Sequence, residues 1–242
     1  MFFKTLDVEG IIIIVICVII LLKILISGFK GMRNAQRLRA MSDYCLKNGI
    51  YYTENLTRIP VNSKILSVMG KKERIEGWGA EMYGNRNGFD FYIFDHTYIS
   101  GTGRRKSIIT ETICLLTNNN LDLPQFYIRD EYFFYDDLGK LFGGQDINFE
   151  EDPVFSSKFI LQGKAEPSIR RFFNRKVRDV FVNNHIKGYS YEGSRDCFAV
   201  MKIQAMDAEE RVKLLSDAIK IFKQFEPPKI DFLMLSSNPS FV

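Results

Sequence analysis

The chain has 242 residues, with 46% hydrophobic and 14% aromatic side chains and a net charge of +4. That apolar content excludes a disordered tail, and the length suits one domain with its own core plus an appended segment. The charge is milder than the basic bias usual in a nucleic-acid binder, so nucleic acid is not an expected partner; it suits an anionic membrane leaflet at least as well.

Gly10 to Phe29, GIIIIVICVIILLKILISGF, carries one charge, Lys23. At α-helical rise such a run covers the ~30 Å hydrocarbon layer, and only a helix satisfying its own backbone can cross there alone. The run therefore predicts a transmembrane helix over 10–29, with Ile11, Ile20 and Leu22 among its lipid-facing anchors. Lys23 lies near the C-terminal end of the run, where its stem can snorkel to the headgroups. Lys4, Asp7 and Glu9 precede the run; Lys30, Arg33, Arg37, Arg39 and Lys47 follow it against Asp43 alone. The positive-inside bias then places residues 1–9 outside and the large C-terminal part in the cytoplasm, as a single-pass protein of the cell inner membrane. A signal peptide is the competing reading, but its apolar core is shorter and ends at a small-residue cleavage site, unlike Ser27-Gly28-Phe29-Lys30.

The four cysteines, Cys17, Cys45, Cys114 and Cys197, are widely spaced, with no metal or redox pattern. They suit a reducing compartment, in which the sequon at Asn55 is idle.

In chain order, Ala35, Leu38, Met41 and Cys45 recur at helical spacing and predict a juxtamembrane helix over 30–48, stopped at Asn48-Gly49. Residues 49–225 read as the cytoplasmic domain. Ile50 to Tyr52 suggests a short strand, and Trp78-Gly79 and Gly84 to Gly88 suggest turns around another. Phe89 to Ile99 and Arg104 to Thr117 predict an antiparallel hairpin, with Pro124 to Arg129 a third strand. Glu131 to Phe142 reads as a helix stopped by Gly143-Gly144.

Phe155 to Leu161 follows as a strand, and Pro167 opens a helix running to about Asn184. Tyr189 to Glu192 and Cys197 to Gln204 form a second hairpin. Asp207, with Glu210 three residues on, starts a last helix whose buried face is Val212, Leu215, Ile219 and Phe222, ended by Pro227-Pro228. This mixture predicts an α+β domain with one mixed, mainly antiparallel sheet and packed helices. Residues 226–242 are a tail, whose Phe232 to Leu235 offers an apolar docking segment. Its Ser240-Phe-Val242 end is a weak match to a strand-adding peptide.

No motif for catalysis stands out. Gly101-Thr-Gly103-Arg-Arg-Lys106 has neither Walker spacing nor a helix to open, and no nucleophile elbow, zinc-protease helix, kinase signature or calcium loop occurs. If the first hairpin turns about Thr102, His96 faces Ile108 and Cys114 faces Asp90. His96 and Cys114 are then about 20 Å apart, which removes a Cys–His dyad. The same register makes Asp95 and Glu111 diagonal neighbours about 7 Å apart, a weak candidate pair for a divalent cation, with a solvated hairpin end as the plainer reading. A one-residue slip would put them on opposite faces. His185 reads as a helix-end or solvent residue, and Asp146 to Asp152 as an exposed acidic turn.

On the helix after Pro167, Ile169, Phe172, Phe173, Val177 and Val180 fall on one side and Arg171, Arg175 and Arg178 nearly opposite. With Arg104, Arg105 and Lys106 at the hairpin tip, they form a candidate surface for anionic lipid headgroups. A solvated charged face is the plainer alternative.

Leu123-Pro-Gln-Phe126, Asp146-Ile-Asn-Phe149, Pro153-Val-Phe-Ser156, Leu161-Gln-Gly163 and Arg171-Phe-Phe173 resemble functionally uncharacterised bacterial proteins with one N-terminal membrane helix and a cytoplasmic α+β domain. The resemblance spans about residues 90–225 and implies no activity or catalytic residue. The expected role is a non-enzymatic interaction or scaffold module without a cofactor, its partners the lipid bilayer and a protein or anionic headgroups. The alternatives are a carboxylate-metal hydrolase or nuclease, and a lipid-surface sensor.

Overall fold

A computed structural model describes residues 8–54, 75–86, 88–101, 106–131 and 146–225. Helix α1 (Val8–Asn48) runs unbroken for 41 residues, about 60 Å at helical rise. Side chains from Ile11 to Phe29, Lys23 included, are all exposed, and the helix is long and apolar enough to cross a membrane. The predicted continuation beyond Phe29 is present. It stops where Gly49 takes φ +64°, a conformation costly for any residue with a Cβ.

Strands β1 (Tyr51–Thr53), β2 (Ile75–Arg86), β3 (Phe89–Ser100), β4 (Ser107–Thr117) and β5 (Leu123–Asp130) follow. Then come α2 (Pro153–Lys158), β6 (Phe159–Gln162), α3 (Glu166–Phe172), α4 (Arg175–Asn183), β7 (Tyr189–Arg195), β8 (Cys197–Lys202) and α5 (Ala208–Phe222). The strands form one antiparallel sheet in the order β1-β2-β3-β4-β8-β7-β5-β6, so the fold is α+β with helices on the sheet.

Several expectations are corrected. Trp78-Gly79 and Gly84 are not turns but lie within β2, whose pairing with β3 absorbs irregularities between Ile75 and Gly77 and between Gly79 and Met82. The strand expected at Phe155 begins as a helix instead. Asp152 caps α2 by accepting from the Phe155 N–H at 3.1 Å, Pro153 opens it, and extended backbone resumes only at Phe159. The single helix after Pro167 is two helices. Asn174 takes an extended conformation and its side chain accepts from the Val177 N–H, which ends one helix and caps the next. The helix expected over 131–142 and the tail 226–242 lie outside the described residues, apart from Glu131.

The β3–β4 register also differs. Ser100 faces Ser107, leaving residues 101–106 as the connection, so the ribbon does not turn about Thr102. Cys114 therefore opposes Ile93 rather than Asp90, and His96 opposes Glu111 rather than Ile108. Three residues is an odd shift, so it exchanges the faces of every side chain on one strand relative to the other.

One face of the sheet carries the main core. Phe91, Ile93, Cys114, Leu116, Phe198, Val200, Tyr191, Phe126 and Ile128 all lie on it, with α5 over β4 and β8 and α3 over β5. The quoted motifs of the second half converge here. Phe126 packs edge-on to Phe173 at 4.9 Å, Phe155 meets Phe149, Phe159 and Phe173, and Ile147 N–H donates to the Leu161 carbonyl. Aromatic pairs at such spacings favour offset and edge-to-face geometry, which orders the corner beyond simple burial.

Two glycines are required by this packing. A Cβ at Gly163 would stand 2.5 Å from the Gln125 carbonyl oxygen, and one at Gly193 would stand 2.2 Å from the Phe126 ring. Gly163→Ala and Gly193→Ala are each expected to lower unfolding free energy by about 1–3 kcal/mol in denaturant titrations of the purified chain. Gly28→Ala, with nothing within 4 Å, should leave it unchanged.

Candidate functional site

The predicted acidic pair does not form. Asp95 shares a face with Thr112, and Glu111 shares the opposite face with His96, whose Nδ1 lies 2.9 Å from Glu111 Oε1. Cys114 and His96 are also on opposite faces, so no Cys–His dyad is assembled. Among the described residues no three His, Cys, Asp or Glu side chains are grouped to hold a metal.

What Asp95 does instead is join three elements. Its Oδ2 accepts from Arg37 Nη2 of α1 at 2.9 Å, and its Oδ1 lies 2.7 Å from Arg211 Nη2 of α5. The Thr112 hydroxyl is 2.8 Å from both Asp95 Oδ1 and the Gln204 carbonyl, donating to one at a time, while its oxygen accepts from the Met206 N–H. Arg211 is 0% exposed and donates through Nη1 to the Ala80 and Ile93 carbonyls at 2.7 and 3.1 Å, and through Nε to the Met206 carbonyl. Arg37 Nη1 donates to that same Met206 carbonyl at 2.9 Å. With a guanidinium group against each carboxylate oxygen, the charge of Asp95 is already compensated by the protein.

Burial pushes the Arg211 pKa down, and the Asp95 carboxylate opposes that shift. Guanidinium nonetheless stays protonated at any working pH, so the site is a buried carboxylate between two fixed cations. Around it, Met41 and Cys45 of α1 are fully buried in the core, and the Tyr52 hydroxyl donates to the Leu38 carbonyl. Burial raises the Cys45 thiol pKa, although Arg211 opposes this; the thiol is a packing group rather than a nucleophile. The geometry thus supports mechanical coupling of α1 to the domain.

The apolar spacing puts Val212 and Ile219 on the buried face and leaves Arg211 out. The face that packs inward is Arg211, Leu214, Leu215, Ala218, Ile221 and Phe222; Val212 and Ile219 are only half-buried. The signal was available: Arg211 stands at i−3 and i−4 to Leu214 and Leu215, in phase with the apolar stripe. The capping box of Asp207 and Glu210 is present as expected.

The proposed cationic stripe is divided. Arg171 and Arg175 are exposed, but Arg178 is buried, donating to the Phe173 carbonyl and to Asp152 Oδ2 at 2.8 Å, with Glu151 at 3.3 Å. Its guanidinium also sits 4.3 Å from the Phe149 ring centroid. The acidic turn therefore supplies counter-ions for Arg178 and, through Asp152, the cap of α2 rather than standing as a free loop. Lys106 is exposed, whereas Arg104 and Arg105 lie outside the described residues. His185 is not a solvent residue: its Nε2 is hydrogen-bonded to Asp130 Oδ1, and the Gly188 N–H donates to Asp130 Oδ2 at 2.6 Å.

No family model and no curated protein matches this chain. A solved structure similar to it is the crystal structure of the mycobacterial trehalose monomycolate transport factor A, TtfA. The two share 11% identity with a TM-score of 0.48, covering 78% of this chain and 92% of that one. So distant a likeness assigns no residue and no activity.

Asp95→Ala leaves the Arg211 guanidinium buried without its counter-charge and should cost about 3–5 kcal/mol in denaturant unfolding. Arg37→Ala, removing a partner 20% exposed, should cost less, about 1 kcal/mol or somewhat more.

For Asp152, burial raises the carboxyl, but hydrogen bonds from Arg178 and the Phe155 N–H, with the Arg178 and Arg175 charges, outweigh it and hold it below the usual range. A depressed folded pKa stabilises above the unfolded value and loses that contribution as pH falls through the folded one. Acid titrations of stability should therefore show a loss setting in below about pH 4. Asp152→Asn should flatten that loss.

Proposed function

We propose that this chain is a single-pass, membrane-anchored interaction or scaffold module whose domain is docked on the continuation of its own anchor. The supporting observation is that α1 passes without a break from an exposed apolar stretch to residues buried in the domain core. An exposed run of isoleucine, leucine and valine of that length is at home only in lipid. Arg37 and Asp95 then favour one placement of the domain on the rod, because the buried carboxylate needs its cations in place.

The basic residues after the apolar run favour a cytoplasmic domain at the inner membrane with the N-terminus outside. Such a module offers partners a rigid platform at a set height above the bilayer rather than a tethered, freely rotating one. Protein partners would read that platform.

In membrane preparations washed with alkaline carbonate, the full chain should stay in the pellet. The Ile16→Lys/Ile20→Lys double variant should shift to the supernatant, since each lysine near the helix centre opposes insertion by about 3 kcal/mol. Recovery of the unaltered chain in the supernatant would overturn the proposal. For orientation, a Lys223→Cys chain should react with a membrane-impermeant maleimide only after the cells are opened.

A further inference from the structure

We propose that the open end of the β3–β4 ribbon, marked by Ile99, Lys106 and Ile108, rests on the anionic bilayer surface as a second membrane contact beside α1. The inference depends on α1 crossing the bilayer and adds where the domain touches it.

The direction of α1 along the sheet is fixed at two points. Near its C-terminal end the Cys45 carbonyl accepts from the Ile50 N–H, just before Tyr51, which pairs with Tyr83 and, through it, lies level with Tyr92 of β3. Eight residues earlier, Arg37 meets Asp95. Eight helical residues rise about 12 Å. The three strand residues from Tyr92 to Asp95 rise about 10 Å. The helix therefore climbs alongside β3, its N-terminal direction pointing to the hairpin end.

Extending both past Arg37 and Asp95 gives the level of the membrane. Phe29, the last residue of the apolar run, lies eight residues before Arg37, about 12 Å further up the rod. Ile99 lies four residues after Asp95, about 13 Å up the strand, and Ile108 is its direct partner across the ribbon. The two isoleucines thus stand level with the lipid boundary.

The surface there is unlike the rest of the sheet. Ile99 and Ile108 lie on the face that α5 covers lower down, where Thr112 is buried; yet Ile108 is 72% exposed and Ile99 half-buried. Lys106 and Ser107 beside them are exposed, and in sequence Arg104 and Arg105 immediately precede Lys106. On α1 at this level Met32 and Arg33 are exposed as well. Aliphatic groups flanked by cations match the interface between acyl chains and anionic headgroups.

The test uses the full chain with Cys17→Ser, since Cys45, Cys114 and Cys197 are buried and resist labelling. An environment-sensitive fluorophore is attached at Ser107→Cys, at Ile20→Cys within the apolar run, or at Lys223→Cys at the far end of α5. Each is reconstituted in vesicles of phosphatidylcholine and phosphatidylglycerol containing spin-labelled lipid. Quenching at 107 is expected to exceed that at 223 by about twofold or more. It should fall to the level of 223 when Lys106→Glu and Ile108→Asp are added, or in vesicles of phosphatidylcholine alone at high salt.

Quenching at 20 with none at 107 overturns the ribbon contact and leaves the anchor standing. Quenching at 107 that ignores both substitutions overturns the assignment to Lys106 and Ile108. No quenching at 20 overturns the anchor, and the ribbon contact with it.

Discussion

The Asp95 carboxylate sits between two guanidinium groups from opposite ends of the chain, Arg37 on the first helix and Arg211 on the last. A charge taken out of water is tolerated only with a partner in place, and here Asp95 and Arg211 would each be destabilising without the other, while the partly exposed Arg37 adds a second cation. Thr112 and the Met206 backbone complete the shell, so the sheet, α1 and α5 are held in one relative placement. Apolar contacts at Met41 and Cys45 supply adhesion, but hydrophobic burial is non-directional. The ion pairs supply the angle.

That constraint matters because of what α1 is. A helix docked by greasy contacts alone would let the domain roll about the rod. A helix clamped through Arg37 transmits the orientation of its apolar segment to the sheet. The ribbon end is then held in one placement relative to α1, and the aromatic corner around Phe126, Phe155 and Phe173 lies toward the opposite edge of the sheet. The second charged clamp, Arg178 with Asp152 and Glu151, performs a local version of the same task by tying α4 to the start of α2.

The elements most legible in the sequence were those with one strong local signal. The apolar run, the stop at Gly49, the β3–β4 and β7–β8 hairpins, and the Asp207–Glu210 cap all rest on residues within a few positions of each other. The misread elements were those in which two local signals competed. Phe155 to Leu161 reads as a strand, but the Asp152 cap and Pro153 make its first half helical. The periodic stripe after Pro167 suggested one helix until Asn174 interrupted it. Arg178, placed on a solvent face by that unbroken periodicity, turns inward once the helix restarts with its own phase.

The sequence by itself settled the class of the molecule: a mixed α and β domain behind one apolar helix of membrane-spanning length, with no recognisable catalytic motif. Composition and short-range periodicity carry that information, because hydrophobicity, helix capping and turn formation act over a handful of residues. Only the tertiary structure decided the site. Pairing Arg37, Asp95 and Arg211 requires the β3–β4 register, and a register shifted by three residues had placed Asp95 beside Glu111 instead. Register is set by the global match of two faces and a connection of particular length, and no single residue near Asp95 records it.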